Sequence, residues 1–414
     1  MNIGIVTTWF ERGAAYVSKA YEQALEKEFN VFIYARGGEQ YGKGDPVWDR
    51  ANVTFAPRWN SIFFRDHRSM SRWHFYIWLK RNNINLVLFN EQHDISLVRQ
   101  FSKYGLITGA YIDYYTEKTV SEFDYYDFVI CNTRRHYSVF KDHKNCLFMQ
   151  WGTDLETFKP VNSAKEVVSP VKFFHSAGFG GVNLRKGTDI LVMAFQQVKG
   201  DAKLIIHSQA PIEKYGSDIK MIIERDGRIE FIHSTVTAPG LYHLGDVYVY
   251  PSRLEGIGLS VPEALSVGLP VVTTDSPPMN EFVENEHNGF LVKISHTKKR
   301  KDGYFWPETT VDKIDLAIKM QKYVDSPGLA QEQGKVARET AIEKFDWKRN
   351  SKPLIEFVRN FENMCHFNKI SRLSSIKMTI QDFCRYFCFC IHRVLEKSGV
   401  YYLLKKNKIF CRFK

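Results

Sequence analysis

The stretch VYVYPSRLEGIGLSVPEALSVGLPVVTT, residues 247–274, decides how the chain is read. Residues 247–250 read as a buried strand and residues 270–274 as a second one. Between them lie a loop, a short helix beginning near Ser260, and Gly268 at the helix end. Pro262 falls in the first helical turn, where a missing N–H costs nothing. Glu255 and Glu263 stand eight residues apart around Gly256-Ile257-Gly258-Leu259. Glycine lets the backbone approach a ligand where a Cβ would collide. The N–H groups at a helix start suit an anionic group such as a diphosphate. Glu255 on the loop and Glu263 on the first turn can both face one ligand, and paired acceptors suit vicinal hydroxyls, as on ribose or a hexose. A plain βαβ connection with two exposed glutamates and a helix cap has the same spacing, so the spacing alone leaves both readings open.

Order and identity of neighbouring residues carry the reading further. Pro251-Ser252, Glu255, Gly256-Ile257-Gly258-Leu259, Glu263-Ala264, Gly268-Leu269-Pro270-Val271-Val272, Glu281 and Asn288-Gly289-Phe290-Leu291-Val292 follow one another as an ordered series. The series resembles the donor-site signature of retaining glycosyltransferases of the GT-B fold, family 4 (the group 1 type). The resemblance covers roughly residues 1–362 and is densest between 171 and 292. It implies an α/β fold of two Rossmann-like parallel-sheet domains facing across a cleft, with a nucleotide-sugar held mainly by the second.

Composition agrees with a two-domain globular protein. The 414 residues are enough for two substantial cores, and 44% hydrophobic with 25% charged residues is ordinary for globular chains. The opening MNIGIVTTWF reads directly as a strand, not as a signal peptide. No run of about 20 apolar residues predicts a spanning helix. Seven cysteines without a zinc-type pair of pairs suit a reducing cytoplasm. The net charge of +11 is concentrated in residues 364–414, where eleven Lys/Arg face only Asp382 and Glu396; that leaves +9 in the tail and +2 in residues 1–363.

In chain order, residues 2–8 and 31–35 read as strands around a helix over 15–28, with Gly13 in the first turn. The resemblance puts Gly13 near the donor diphosphate and acceptor, although only this glycine remains of the family's usual pair. Residues 37–60 read as a loop over the cleft. Residues 59–81 mix Phe63, Phe64, Phe75, Trp73 and Trp78 with five arginines and lysines, and read as core aromatics ahead of a membrane-facing helix. The strand 85–89 leads to Asn90-Glu91-Gln92-His93-Asp94, polar residues at a strand's carboxyl end, where such sheets bind ligands. By resemblance His93 is the candidate catalytic residue near the reacting sugar, with Glu91 and Asp94 as rivals. Strands at 108–112 and 128–131 complete the first half, domain 1–160 on the acceptor side.

Residues 161–170 form a polar linker between Pro160 and Pro170. The second domain, 171–345, opens with a strand, the glycine-rich loop Ala177-Gly178-Phe179-Gly180-Gly181 and Arg185-Lys186-Gly187 before a helix over 188–197. This is a good phosphate cradle, although neither a Walker loop nor a complete GxGxxG. The resemblance implies that Lys186, and with less exact placement Arg185, offset charge on the leaving diphosphate. It gives Glu255 and Lys186 a catalytic place. It makes Gly13, Arg185, Lys186, Glu255, Gly256, Ile257, Gly258, Leu259 and Glu263 the nucleotide-sugar contacts, with Glu263 at the ribose. Residues 231–234 would line the base pocket. No Asp-x-Asp occurs, so no metal and no cofactor is expected beyond the nucleoside-diphosphate sugar as co-substrate. Residues 297–310 read as an insertion or exposed loop. Residues 346–362 read as a helix returning to the first domain.

The expected activity is transfer of a hexose-type sugar from a UDP- or GDP-sugar to a hydroxyl of a glycan or lipid-linked acceptor. Rivals are a GT-B epimerase or phosphorylase, and a non-catalytic partner in a membrane glycosylation complex. The tail, 363–414, sets Phe383, Tyr386, Phe387 and Phe389 among basic residues. It suits an interfacial helix on an anionic membrane surface, with packing on the protein as the alternative. The protein is expected in the cytoplasm, at the face of a membrane at most. No nucleic-acid motif accompanies the charge.

Overall fold

The computed structural model describes residues 1–36, 42–57, 70–91, 94–161, 169–179, 184–364, 376 and 378–384. The first half runs β1 (Asn2–Thr7), α1 (Gly13–Leu25), β2 (Asn30–Ala35), β3 (Val53–Phe55), α2 (Arg72–Arg81), β4 (Leu86–Phe89), α3 (Ile95–Ser102), β5 (Ile107–Tyr111), β6 (Phe128–Cys131), α4 (Arg134–Phe140) and β7 (Cys146–Phe148). Its seven strands form one parallel sheet in the order β3-β2-β1-β4-β5-β6-β7. Every residue of β4, β5 and β6 is buried, as expected of parallel strands covered on both faces. β3 lies inside the stretch read as a cleft loop, and β7 was not foreseen. Each has only three residues, too few for a periodic signal.

The second half runs β8 (Val171–Gly178), α5 (Thr188–Phe195), β9 (Ala202–Ser208), α6 (Ser217–Arg225), β10 (Ile229–His233), β11 (Val247–Tyr250), α7 (Ser260–Ser266), β12 (Val271–Thr274) and β13 (Gly289–Val292). These six strands form a second parallel sheet, β10-β9-β8-β11-β12-β13. In both sheets the order reverses beside the first strand, between β1 and β4 and between β8 and β11. Ligands of doubly wound sheets bind at the carboxyl ends of strands at that switch point. The loops leaving β8 and β11 meet there.

The stretch 297–310, expected to be an insertion or exposed loop, is paired strand at both of its ends. β14 (Ile294–Lys298) and β15 (Glu308–Val311) pair as an antiparallel hairpin, and its tip is built against the first domain. Strand alternation is weak in TKKRKDGYFWPETT, so the hairpin declares itself only through what its aromatic tip touches. Helices α8 (Lys313–Asp325) and α9 (Gly328–Lys344) cover the second sheet. Then α10 (Trp347–Asn350) and α11 (Lys352–Arg359) return to the first, α11 packing on α1 and Trp347 Nε1 donating to the Ala20 carbonyl at 3.0 Å.

Of the aromatic, basic stretch, residues 58–69 lie outside the described residues. In α2, Phe75, Trp78 and Leu79 are buried, in line with the core reading, while Trp73 and Ile77 are exposed one turn apart. Most of the tail also lies outside the described residues. Its described part packs on the protein: Met378 is fully buried in the first domain's core. Asp382 accepts hydrogen bonds from Ser71 Oγ (2.5 Å) and from the Arg72 and Trp73 N–H groups (3.1 and 2.9 Å), capping α2.

Candidate functional site

The centre of the site is the Glu255 carboxylate, buried at the end of β11. Lys186 Nζ donates to its Oε1 at 2.8 Å, and Arg185 Nη1 lies 2.9 Å from its Oε2. Ser252 Oγ and Tyr250 Oη donate to Oε1 at 2.5 and 2.8 Å. Burial opposes the Glu255 charge, yet Arg185, Lys186 and Ser252 outweigh it and hold the carboxyl well below the usual range. Burial also pulls the Lys186 ammonium down to about 8, against the pull of Glu255. The pair is ionised at neutral pH.

Local sequence explains why these loops meet. The Arg253 N–H donates to the Arg185 carbonyl at 2.7 Å, Arg185 Nη1 returns to the Leu254 carbonyl at 2.6 Å, and Arg253 is forked onto Asp189 at 2.7 and 2.8 Å. Gly187 sits at φ 73°, and a Cβ there would fall 2.1 Å from the Pro251 carbonyl oxygen. Only glycine fits that conformation and that approach. Gly258 likewise adopts φ 81°, turning the chain into α7.

Glu263 lies one helical turn on. It accepts from Tyr242 Oη at 2.6 Å, and burial raises its pKa above the ordinary carboxylate value. Gly13 faces this region from the first domain: a Cβ on it would touch the Leu259 side chain at 3.7 Å.

His93 lies outside the described residues. Of its rivals, Asp94 caps α3 through the Leu97 N–H at 3.2 Å and pairs with Arg72 at 3.2 Å, a structural task. Glu91 pairs with buried Arg36 at 3.3 Å. Among the described residues no three His, Cys, Asp or Glu side chains converge as metal ligands do.

Residues 176–300 match the model of group 1 glycosyl transferases. The chain has the GT-B fold, with the group 1 sequence in its second domain. Sucrose-phosphate synthase from Thermosynechococcus elongatus superposes with a TM-score of 0.69 at 16% identity, over 87% of this chain and 99% of that one. Anabaena HepE, solved with UDP and glucose, gives 0.67 at 15% identity over 87% and 100%. In sequence, the lipopolysaccharide core biosynthesis mannosyltransferase LpsB of Rhizobium meliloti is 31% identical over 166 residues, 36% of this chain and 47% of that protein. The alpha-maltose-1-phosphate synthase of Mycolicibacterium smegmatis is 24% identical over 44% and 46%. The matched part of this GT-B chain thus spans under half the length of these curated relatives.

Several residues at the GT-B cleft were missed from sequence. Arg135 Nη1 donates to the Pro277 carbonyl at 2.7 Å and its Nη2 to the Glu255 carbonyl. The Glu281 carboxylate accepts from the Arg134 and Arg135 N–H groups at 2.6 and 2.9 Å, capping α4 from the opposite domain. In the sequence Glu281 is only one member of the ordered series, with no role attached to it. His136, at 3.0 Å from the Gly256 carbonyl, had no signal, since a helical TRRHYSVF segment looks like any amphipathic surface.

Proposed function

We propose that the chain is a retaining, metal-independent glycosyltransferase. It moves a hexose-type sugar from a UDP- or GDP-sugar to a hydroxyl of a glycan or lipid-linked acceptor, in lipopolysaccharide or other cell-surface polysaccharide synthesis. The observation that carries this reading is the convergence of Arg185 and Lys186 on Glu255 beside the Gly256–Leu259 loop, with Glu263 one turn beyond. In this reading Arg185 and Lys186 offset the charge gained by a diphosphate leaving group, and Glu255 and Glu263 hold sugar and ribose hydroxyls. In the reaction the acceptor oxygen bonds to the anomeric carbon and the bond from that carbon to the phosphate oxygen breaks. The hydroxyl proton leaves with the departing phosphate side. Arg185 and Lys186 take the place that a divalent cation fills elsewhere, so no metal or cofactor is invoked. HepE has been solved with UDP-glucose, and the relatives' names refer to mannosyl and galactosyl transfer. Those facts make UDP- and GDP-hexoses the donors to try first.

The acceptor side carries a second part of the reading, an anionic membrane surface met through residues 364–414. Its support is the +9 tail together with Ile380 and Phe383, exposed beside the end of α2 that bears exposed Trp73. No helix among the described residues is long and apolar enough to cross a membrane. Sedimentation with anionic and with neutral vesicles tests it; equal recovery in the supernatant from both would remove the membrane from the reading.

The deciding experiment is a melting-point and turnover panel of UDP-, GDP- and ADP-sugars, with chelator, on wild type and Glu263→Ala. One donor should raise the melting point and be hydrolysed slowly, and the variant should lose the shift. No donor acting on wild type would sink the transferase reading.

A further inference from the structure

The hairpin β14–β15 is anchored at both ends of the cleft. On its own domain, the Thr309 N–H and Oγ1 both donate to the Arg253 carbonyl, at 2.9 and 3.2 Å, inside the loop that leads to Glu255. Across the cleft, the Phe305 N–H donates to the Tyr115 carbonyl at 2.9 Å and Tyr304 Oη to the Asp113 carbonyl at 3.0 Å. The Tyr304 ring stacks on Tyr114 at 4.9 Å.

From the hairpin tip a hydrogen-bond chain runs back to the donor loop. Trp306 Nε1 donates to Tyr115 Oη at 2.6 Å, Tyr115 Oη lies 3.1 Å from His136 Nδ1, and His136 Nε2 lies 3.0 Å from the Gly256 carbonyl. Indole N–H only donates and a carbonyl only accepts, so every direction in the chain is fixed. Tyr115 receives from Trp306 and gives its proton to Nδ1; His136 must then carry its own proton on Nε2. Burial first, and the neighbouring Arg135 second, push the His136 pKa down to about 3, so the ring is neutral. Arg135 lies 5.3 Å over the Trp306 ring while holding the Glu255 carbonyl. Beyond these carbonyls, none of the Gly256, Ile257, Gly258 and Leu259 N–H groups donates within the chain among the described residues.

We propose that Trp306, Tyr115 and His136 are a positioning chain for sugar transfer. The hairpin holds Tyr115 as the donor to His136 Nδ1, which leaves the Nε2–H for the Gly256 carbonyl, and His136 with Arg135 pins the Gly256 and Glu255 carbonyls so that the N–H groups of residues 256–259 face the donor diphosphate. This rests on the transferase reading for the identity of the anion, but not for the tautomer. It also makes the donor loop complete only when the two domains are together, since its support comes from the opposite one.

The test uses the full chain with UDP as the probe and has two arms. The His136 ring signal is assigned by its loss in His136→Gln, and its tautomer is read from nitrogen-15 shifts in wild type, Tyr115→Phe and Trp306→Phe. Wild type should be Nε2–H with a hydrogen-bonded Nδ1; Tyr115→Phe should keep Nε2–H, which the Gly256 carbonyl requires, and move the Nδ1 signal to that of a free acceptor, with Trp306→Phe moving it part of the way. A wild-type ring protonated on Nδ1, or an Nδ1 signal that does not move in Tyr115→Phe, overturns the relay. In the second arm, UDP affinity should fall about tenfold in His136→Leu and recover in His136→Gln, whose amide can donate to Gly256 and accept from Tyr115. His136→Leu binding UDP like wild type overturns the positioning role. Melting curves screen out any variant that does not fold. If wild type itself binds neither UDP nor GDP, the transferase reading falls, while the tautomer arm still decides the relay.

Discussion

Lys186 Nζ stands 2.8 Å from Glu255 Oε1, a contact between residues 69 apart in the chain that closes the loop after β8 onto the loop after β11. Neither loop is a site by itself. One brings two cations, the other a carboxylate and a run of N–H groups without an acceptor among the described residues, and the ion pair holds them in register. Because the carboxylate is buried, the pair contributes more to placing the loops than to net stability, desolvation offsetting most of its attraction.

Replacing Lys186 by alanine removes the ammonium nearest the predicted leaving group. Turnover of the donor should fall by about 10²–10³, the usual cost of losing one preorganised stabilising group. UDP binding should weaken less, because Arg185 remains. Steady-state kinetics and calorimetry separate the two; an equal loss in both would make Lys186 a binding residue only.

The pH dependence follows from the same lysine. Its folded pKa is lowered to about 8. Below that value it carries its charge, and as pH rises through it the charge is lost. The donor kcat/KM should therefore decline with an apparent midpoint near 8. The sign for stability is opposite. The unfolded chain holds that proton to a higher pH, so this lysine's contribution to stability rises between about 8 and its ordinary value. Activity lost above pH 8 with an undiminished melting point is the expected pattern.

Glu255→Gln keeps the shape but leaves Arg185 and Lys186 without their counter-charge. Unfolding free energy should drop by about 3 kcal/mol, the scale for breaking a buried pair. UDP should raise the variant's melting point more than it raises that of wild type, because the diphosphate supplies the missing negative charge. A smaller shift in the variant would mean that Glu255 itself organises the anion site.

Gly187→Ala asks a left-handed φ of a residue with a side chain and drives its Cβ toward the Pro251 carbonyl. Strain of at least about 1 kcal/mol is expected, and the clash displaces the loop that carries Lys186. Nucleotide affinity should fall while far-UV circular dichroism stays unchanged.

Asp382→Ala deletes three hydrogen bonds at the start of α2. Loss of a cap costs about 1 kcal/mol. The melting point should drop by about 2 °C, and limited proteolysis should cut after residue 364 sooner. Asp382→Asn should retain part of the effect, since its amide oxygen still accepts.

Sequence by itself determined the α/β alternation, because buried parallel strands such as β4, β6 and β11 must be apolar throughout and helices must fill the intervals. The ordered series around residues 247–292 points, by resemblance, to Lys186, Glu255 and Glu263 as one group, and the structure brings Lys186 and Glu255 into contact. Tertiary structure alone decided what lies opposite them. His136 and Arg135 read as an ordinary surface helix until α4 meets the carbonyls of Glu255 and Gly256, 120 residues away. The hairpin read as an exposed loop until Trp306 met Tyr115, and the Asp382 carboxylate is a helix cap only because Ser71 is beside it, 311 residues earlier. Periodicity and turn chemistry are local, so they appear in the sequence. A hydrogen bond between distant loops depends on how two sheets are placed, and no local pattern encodes that.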